Sequence, residues 1–125
     1  QYCYRHQCYE TTRQAAEYLG LKEDRFSTSF QSRLGVDPWL QPYTDQTVAR
    51  FAKKGTKKLA IVTPAFVSDW LETLEELGME AVEDFEEKGG EELHVVPCIN
   101  TRKDWVNVMS RWIDQWAKAE MASTG

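Results

Sequence analysis

The chain has 125 residues, 42% of them hydrophobic, with three cysteines and a net charge of −5, which allows one domain with its own core. Three cysteines in a chain of this size exclude an extracellular disulfide framework and point to free thiols in a reducing, cytoplasmic setting. Basic residues occur in scattered pairs such as Lys53-Lys54 and Lys57-Lys58, so no nucleic-acid partner is expected, and no apolar run approaches a membrane-spanning length.

The spacing predicts a first helix from about Thr11 to Leu19, stopped by Gly20. Phe26, Thr28 and Phe30 alternate with polar residues and suggest a strand ending near Gln31. A loop rich in Gly and Pro follows from Leu34 to Tyr43, after which Thr44 or Asp45 can cap a second helix ending at Gly55. The β-branched run Lys58 to Val62 is a second strand. An acidic helix from Asp69 to Glu87, stopped at Gly89-Gly90, leads to a third strand from Leu93 to Val96. Beyond Pro97, Asn100 or Thr101 caps a last helix in which Trp105, Val108, Met109, Trp112 and Trp116 recur at three and four residues, as core or interface. Alternating strands and helices with short links predict an α/β fold: a Rossmann-like parallel sheet with helices on both faces. No GxGxxG is present, so a dinucleotide is not implied. A sheet of three strands behind a leading helix looks incomplete, as if a further strand preceded Gln1.

The acidic helix holds nine carboxylates and no lysine or arginine. Removing those nine from the 20 acidic residues leaves 11 against 15 basic ones, so the acidity is local. At about 100° per residue, Leu71, Leu74, Gly78, Ala81, Val82 and Phe85 share one side, and Asp69, Glu72, Glu76, Glu80, Glu83 and Glu87 the other. A solvated acidic face is the ordinary account of such a helix. Its first carboxylates, however, emerge from the end of a strand, where open α/β sheets bind ligands. In a regular α-helix residues four apart drift by about 40° per step, so Glu72, Glu76 and Glu80 form a slanted row. A π-type turn would straighten it, and a π-bulge is expected between Asp69 and Glu80.

Four phrases, Ser29-Phe30-Gln31-Ser32-Arg33-Leu34-Gly35, Pro38-Trp39-Leu40-Gln41-Pro42-Tyr43-Thr44-Asp45, Pro64-Ala65-Phe66-Val67-Ser68-Asp69-Trp70-Leu71-Glu72-Thr73-Leu74-Glu75-Glu76 and Pro97-Cys98-Ile99-Asn100, together resemble the ferrochelatases over nearly the whole chain. The resemblance implies insertion of Fe²⁺ into protoporphyrin IX to form protoheme, or into coproporphyrin in another branch of the family, in a cleft between two Rossmann-like halves. This chain resembles most of the second, C-terminal half. The family's catalytic histidine, in a Ser-(Phe/Ala)-His phrase, lies upstream of anything matched here, and neither His6 nor His94 takes its place. His94, between Leu93 and Val95, is expected to be structural.

On the same resemblance Glu72 is the essential carboxylate, and Asp69, Glu76 and Glu80 join it as candidate iron contacts. Trp70 stands where animal members have a histidine, so no metal contact is carried over to it. Trp39 and Phe66 are expected to wall the macrocycle, with Gln31, Ser32 and Arg33 at its polar edges; Arg33 pairs with a propionate or, equally, with a surface carboxylate. Some members carry a [2Fe-2S] cluster, which normally needs four ligands. Cys3 and Cys8 would supply two of them, against the alternative of free thiols. The implied partners are the porphyrin, ferrous iron, the N-terminal half of the enzyme and, through the last helix, a second copy in a homodimer. A non-catalytic module that holds metal or tetrapyrrole is the rival function.

Metallation requires stripping water from Fe²⁺, removing two pyrrole protons and bending the ring. A carboxylate can accept those protons, and Glu72 is the candidate. Oxygen ligands hold iron more weakly than imidazole or thiolate, so a carboxylate ladder can pass on a metal or a proton without trapping either.

Overall fold

The computed structural model describes residues 3–31 and 39–123. The first helix, α1 (Tyr4–Tyr18), begins at Tyr4 rather than Thr11. Its early residues carry no apolar period, but the backbone closes from Gln7 N–H to Cys3 C=O at 3.1 Å, and Arg13 bridges Glu10 and Glu17 one turn either way. Gly20, at φ +66°, ends the helix as expected.

The strand expected up to Gln31 does not form. Among the described residues that segment makes one β-type pairing, a parallel bridge from Phe30 to Tyr43. Phe30 N–H donates to Pro42 C=O at 2.9 Å, and Thr44 N–H donates to Phe30 C=O at 3.2 Å. The alternation is real: Phe30 is buried, its ring 6.0 Å edge-on from that of Tyr9. Its neighbour, the short approach to α2 (Thr44–Lys53), offers no length for a ladder.

Two strands form the sheet of the described residues, β1 (Lys58–Ile61) and β2 (Glu92–Val95), paired in parallel with Leu59 opposite Leu93 and Ile61 opposite Val95. Between them runs a continuous helical stretch, a π-helix over Glu72–Glu80 that passes into α3 (Ala81–Glu87). The expected π-type turn is therefore present, and it extends over nine residues.

The wider turn also corrects the expected apolar face. Leu71 and Leu74 are 66% and 60% exposed, whereas Thr73, Leu77, Ala81 and Phe85 are buried. Those four stand at steps of four residues, which fall short of a turn in the π-helix and overshoot it in α3, so the opposing drifts keep them on one side.

Phe85, fully buried, meets Val48 and Ala52 of α2 and Leu93 of β2, with Leu59, Ile61, Val82 and Val95 packed around them. This face of the sheet carries α2 and α3. The other face, with Lys58, Ala60, Glu92 and His94, is exposed among the described residues; the parallel sheet with packed helices is part of the α/β, Rossmann-like layer expected. His94, expected to be structural, projects from that open side. The last helix, α4 (Lys103–Ser123), packs against no other helix or strand among the described residues. Trp105 and Trp112 meet edge to face at 5.9 Å, while Trp116 is 66% exposed. Among the described residues no helix is long and apolar enough to cross a membrane.

Gly89, at φ +99°, turns the chain out of α3, and Gly90 N–H then donates to Phe85 C=O at 2.9 Å. A methyl group on Gly90 would overlap the Phe85 ring. Gly90→Ala is therefore expected to cost about 1–3 kcal/mol, the usual penalty for overpacking a closed core, read as a lower urea midpoint at unchanged slope. An unchanged midpoint would show that the ring moves aside freely.

Candidate active site

The two parallel strands end at the same edge of the sheet, and the segments that leave them, 62–70 and 96–102, meet there. Val96 N–H extends the pairing by donating to Ile61 C=O at 2.8 Å. Beyond it the two segments are clipped together. Asn100 N–H donates to Val67 C=O at 2.8 Å, and Asp69 N–H donates to Asn100 Oδ1 at 2.8 Å. Asn100 Nδ2 donates to Asp69 Oδ2 at 2.7 Å and to Cys98 C=O at 3.1 Å. Cys98 N–H donates to Asp69 Oδ1 at 3.0 Å. Asn100 adopts φ +51°, a left-handed conformation that asparagine tolerates better than most residues.

Two consequences correct the sequence reading. Asn100 does not cap the last helix, because its side chain is committed to Asp69. Asp69 lies in the loop ahead of the helix rather than on its acidic face, with both carboxylate oxygens occupied by protein donors. A left-handed asparagine two residues beyond Cys98 is the functional feature that pattern reading missed; only its position in a short loop after a strand hinted at it.

The helical stretch opens with Thr73 Oγ1 against the Trp70 backbone, accepting from Trp70 N–H at 2.9 Å. Glu72, beside it, is half-buried, and its Oε2 is closed off from solvent with no hydrogen-bond partner among the described residues. Buried polar atoms in folded proteins are overwhelmingly paired, so this oxygen asks for a partner from outside. One turn on, Gln31 Nε2 donates to Glu76 Oε2 at 2.5 Å, joining residues 45 apart in sequence. Glu80, one further turn along, is exposed. The three carboxylates thus run along the wide helix from the loop edge to solvent.

Of the remaining predicted contacts, Phe66 is half-buried in the 62–70 segment and Trp39 is partly exposed. Ser32 and Arg33 lie outside the described residues. Trp70 is largely exposed. An open groove of about 790 Å³ runs along the 96–102 segment to the start of α4, lined by Val96, Pro97, Cys98, Asn100, Trp105 and Val108 among others.

Cys3 is exposed at the start of α1, and Cys8 is half-buried in it. Five residues apart, they are turned by about 140° around the helix. Cys98 instead has its Sγ 3.4 Å from Thr63 Oγ1. Among the described residues no three His, Cys, Asp or Glu side chains are gathered to hold a metal ion.

The Asn100 amide, followed by the Cys98 backbone N–H, holds the Asp69 carboxyl below the usual carboxylate range. Because the folded value is the lower one, the clip contributes stability above the unfolded pKa and loses it as pH falls through the folded pKa. The stability gap between the protein and its Asp69→Asn variant is expected to be widest near neutral pH and to shrink below about pH 4, measured by denaturant unfolding at stepped pH. A gap that does not vary with pH would mean that the carboxylate is not held in solution.

Known proteins resemble the chain in sequence. The family model described as ferrochelatase matches residues 1–117. The chain is 49% identical over 108 residues to a ferrochelatase of Pseudomonas putida, covering 86% of this chain and 32% of that protein. It is 51% identical over 106 residues to a ferrochelatase of Brucella ovis, covering 85% and 30% respectively. The chain thus spans about a third of the length of the curated relatives it matches. With residues 1–117 matched and the acidic π-helix at the strand ends, the chain belongs to the ferrochelatase family.

Proposed function

We propose that this chain forms the acidic wall of a ferrochelatase site, in which Fe²⁺ is inserted into protoporphyrin IX to give protoheme in heme biosynthesis. The observation that carries the reading is Glu72. It is a half-buried carboxylate whose Oε2 is hidden and without a partner, at the first turn of a π-helix and at the carboxyl edge of a parallel sheet. An orphaned acceptor in that place is suited to a pyrrole N–H.

Insertion exchanges two pyrrole protons for one Fe²⁺. Glu72 accepts the protons, and Glu76 and Glu80 lead away from it along the π-helix toward solvent. Gln31 fixes Glu76 in that row by its 2.5 Å hydrogen bond. Carboxylate oxygens are also weak enough ligands to pass ferrous iron along rather than retain it. Phe66 and Trp39 offer apolar walls to the macrocycle, and Ser32 and Arg33 keep their sequence-based assignment to its polar edges.

The catalytic histidine and the opposite wall are assigned to the remainder of the protein, the N-terminal half in the family's arrangement. That part would also cover the open face of the sheet and the exposed Trp112, Ile113 and Trp116 of α4. A second copy of the chain is the competing occupant of α4. The free thiols fit a reducing cytoplasm, and no step is assigned to a [2Fe-2S] cluster.

Glu72→Gln in the full-length protein is expected to lower the rate of anaerobic porphyrin metallation by about 10²–10⁴-fold, the range for losing a positioned proton acceptor. Porphyrin binding, followed by tryptophan quenching, should persist. Near-normal turnover would refute the role of Glu72. Binding without turnover in the unaltered full-length protein would favour the metal- or tetrapyrrole-holding module. Coproporphyrin used in place of protoporphyrin IX would move the substrate assignment to the other branch.

A further inference from the structure

We propose that Asn100 is a positioning residue for metal insertion: with Asp69 it forms a clip that sets where the π-helix begins and therefore where Glu72 stands. The proposal rests on the ferrochelatase reading above.

Glu72 Oε2 has no hydrogen bond among the described residues to orient it, so its placement depends on the backbone that carries it. That backbone is anchored just upstream. Trp70 C=O accepts from both Thr73 N–H and Leu74 N–H, at 3.1 and 3.0 Å, to start the helical stretch. Asp69, the residue before Trp70, is held through its own N–H and both of its carboxylate oxygens. Every polar atom of the Asn100 side chain takes part, Oδ1 toward Asp69 and Nδ2 toward Asp69 and Cys98. The loop after β2 thus fixes the first turn of the helix that follows β1. Asp69, with both oxygens already taking protein hydrogen bonds, acts in the clip.

The pairing is directional, an amide facing a carboxylate. Asn100→Asp is nearly isosteric and keeps an acceptor for Asp69 N–H, but it turns the donor aimed at Asp69 Oδ2 and Cys98 C=O into an acceptor.

In the full-length protein, Asn100→Ala is expected to lower kcat for metallation by at least about tenfold while KM for porphyrin stays within about twofold, because misplacing a reacting group costs turnover rather than binding. Asn100→Asp is expected to lower kcat by a similar factor, again with KM within about twofold, because two carboxylates then face each other. Unchanged kcat in Asn100→Ala would overturn the proposal. So would unchanged kcat in Asn100→Asp. Should Asn100→Ala fail to fold by circular dichroism, Asn100→Asp decides. Glu72→Gln, assayed in parallel, separates the two readings: an inactive Glu72→Gln beside a fully active Asn100→Ala ends the clip alone, while an active Glu72→Gln ends both.

Discussion

Thr73 and Leu77 of the π-helix and Ala81 and Phe85 of α3 make one buried row at steps of four residues. A step of four falls short of a full turn in the wide π-helix and overshoots it by about 40° in the α-helix, so the two drifts oppose each other across the junction. The same alignment governs the neighbouring row. Glu72, Glu76 and Glu80 each precede a member of the buried row by one residue, which keeps the first two half-buried at its rim. Core and carboxylate ladder are thus two readings of one backbone conformation.

The ladder is anchored at both ends by different physics. At its far end Phe85 closes against Val48, Ala52 and Leu93, and burying a side chain of that size contributes about 1.5–3 kcal/mol. At its near end the anchorage is polar, through Asp69, Cys98 and Asn100. Apolar packing tolerates small slides along a helix, whereas a reciprocal amide–carboxylate pair has one geometry. The polar anchor stands where a displacement would move Glu72, and the apolar anchor where it would not.

How far the sequence discloses this depends on the range of the interaction. The acidic helix, its stop at Gly89-Gly90, strands β1 and β2 and the last helix follow from local periodicity and turn chemistry, and the slanted row of carboxylates four apart suggests the π-type turn. The identity of the buried row was not legible from a 100° template, because Leu71 and Leu74 fit that template and Thr73 does not. The segment before Gln31 alternates as a strand should, yet a strand also requires a neighbour of matching length, and periodicity carries no information about neighbours. Asn100 was invisible for a similar reason. Its partner lies 31 residues away, and an asparagine after a strand reads equally well as a helix cap.

The like-charge row raises a last question of energetics. Glu72/Glu76 and Glu76/Glu80 each carry an unfavourable interaction of about 0.2–0.5 kcal/mol as i,i+4 pairs, and burying Leu77 on the adjacent row outweighs both. Charge repulsion therefore does not threaten the fold. The hidden Oε2 of Glu72 is a different matter, since an unsatisfied buried acceptor costs about 1–3 kcal/mol, comparable with one whole core side chain. A solvated acidic face would avoid that cost by turning Glu72 outward, as Glu80 is turned. Glu72 keeps a hidden, unpartnered oxygen while Glu80 is exposed, and that is the physical distinction between a site and a surface on which the proposed role of Glu72 rests.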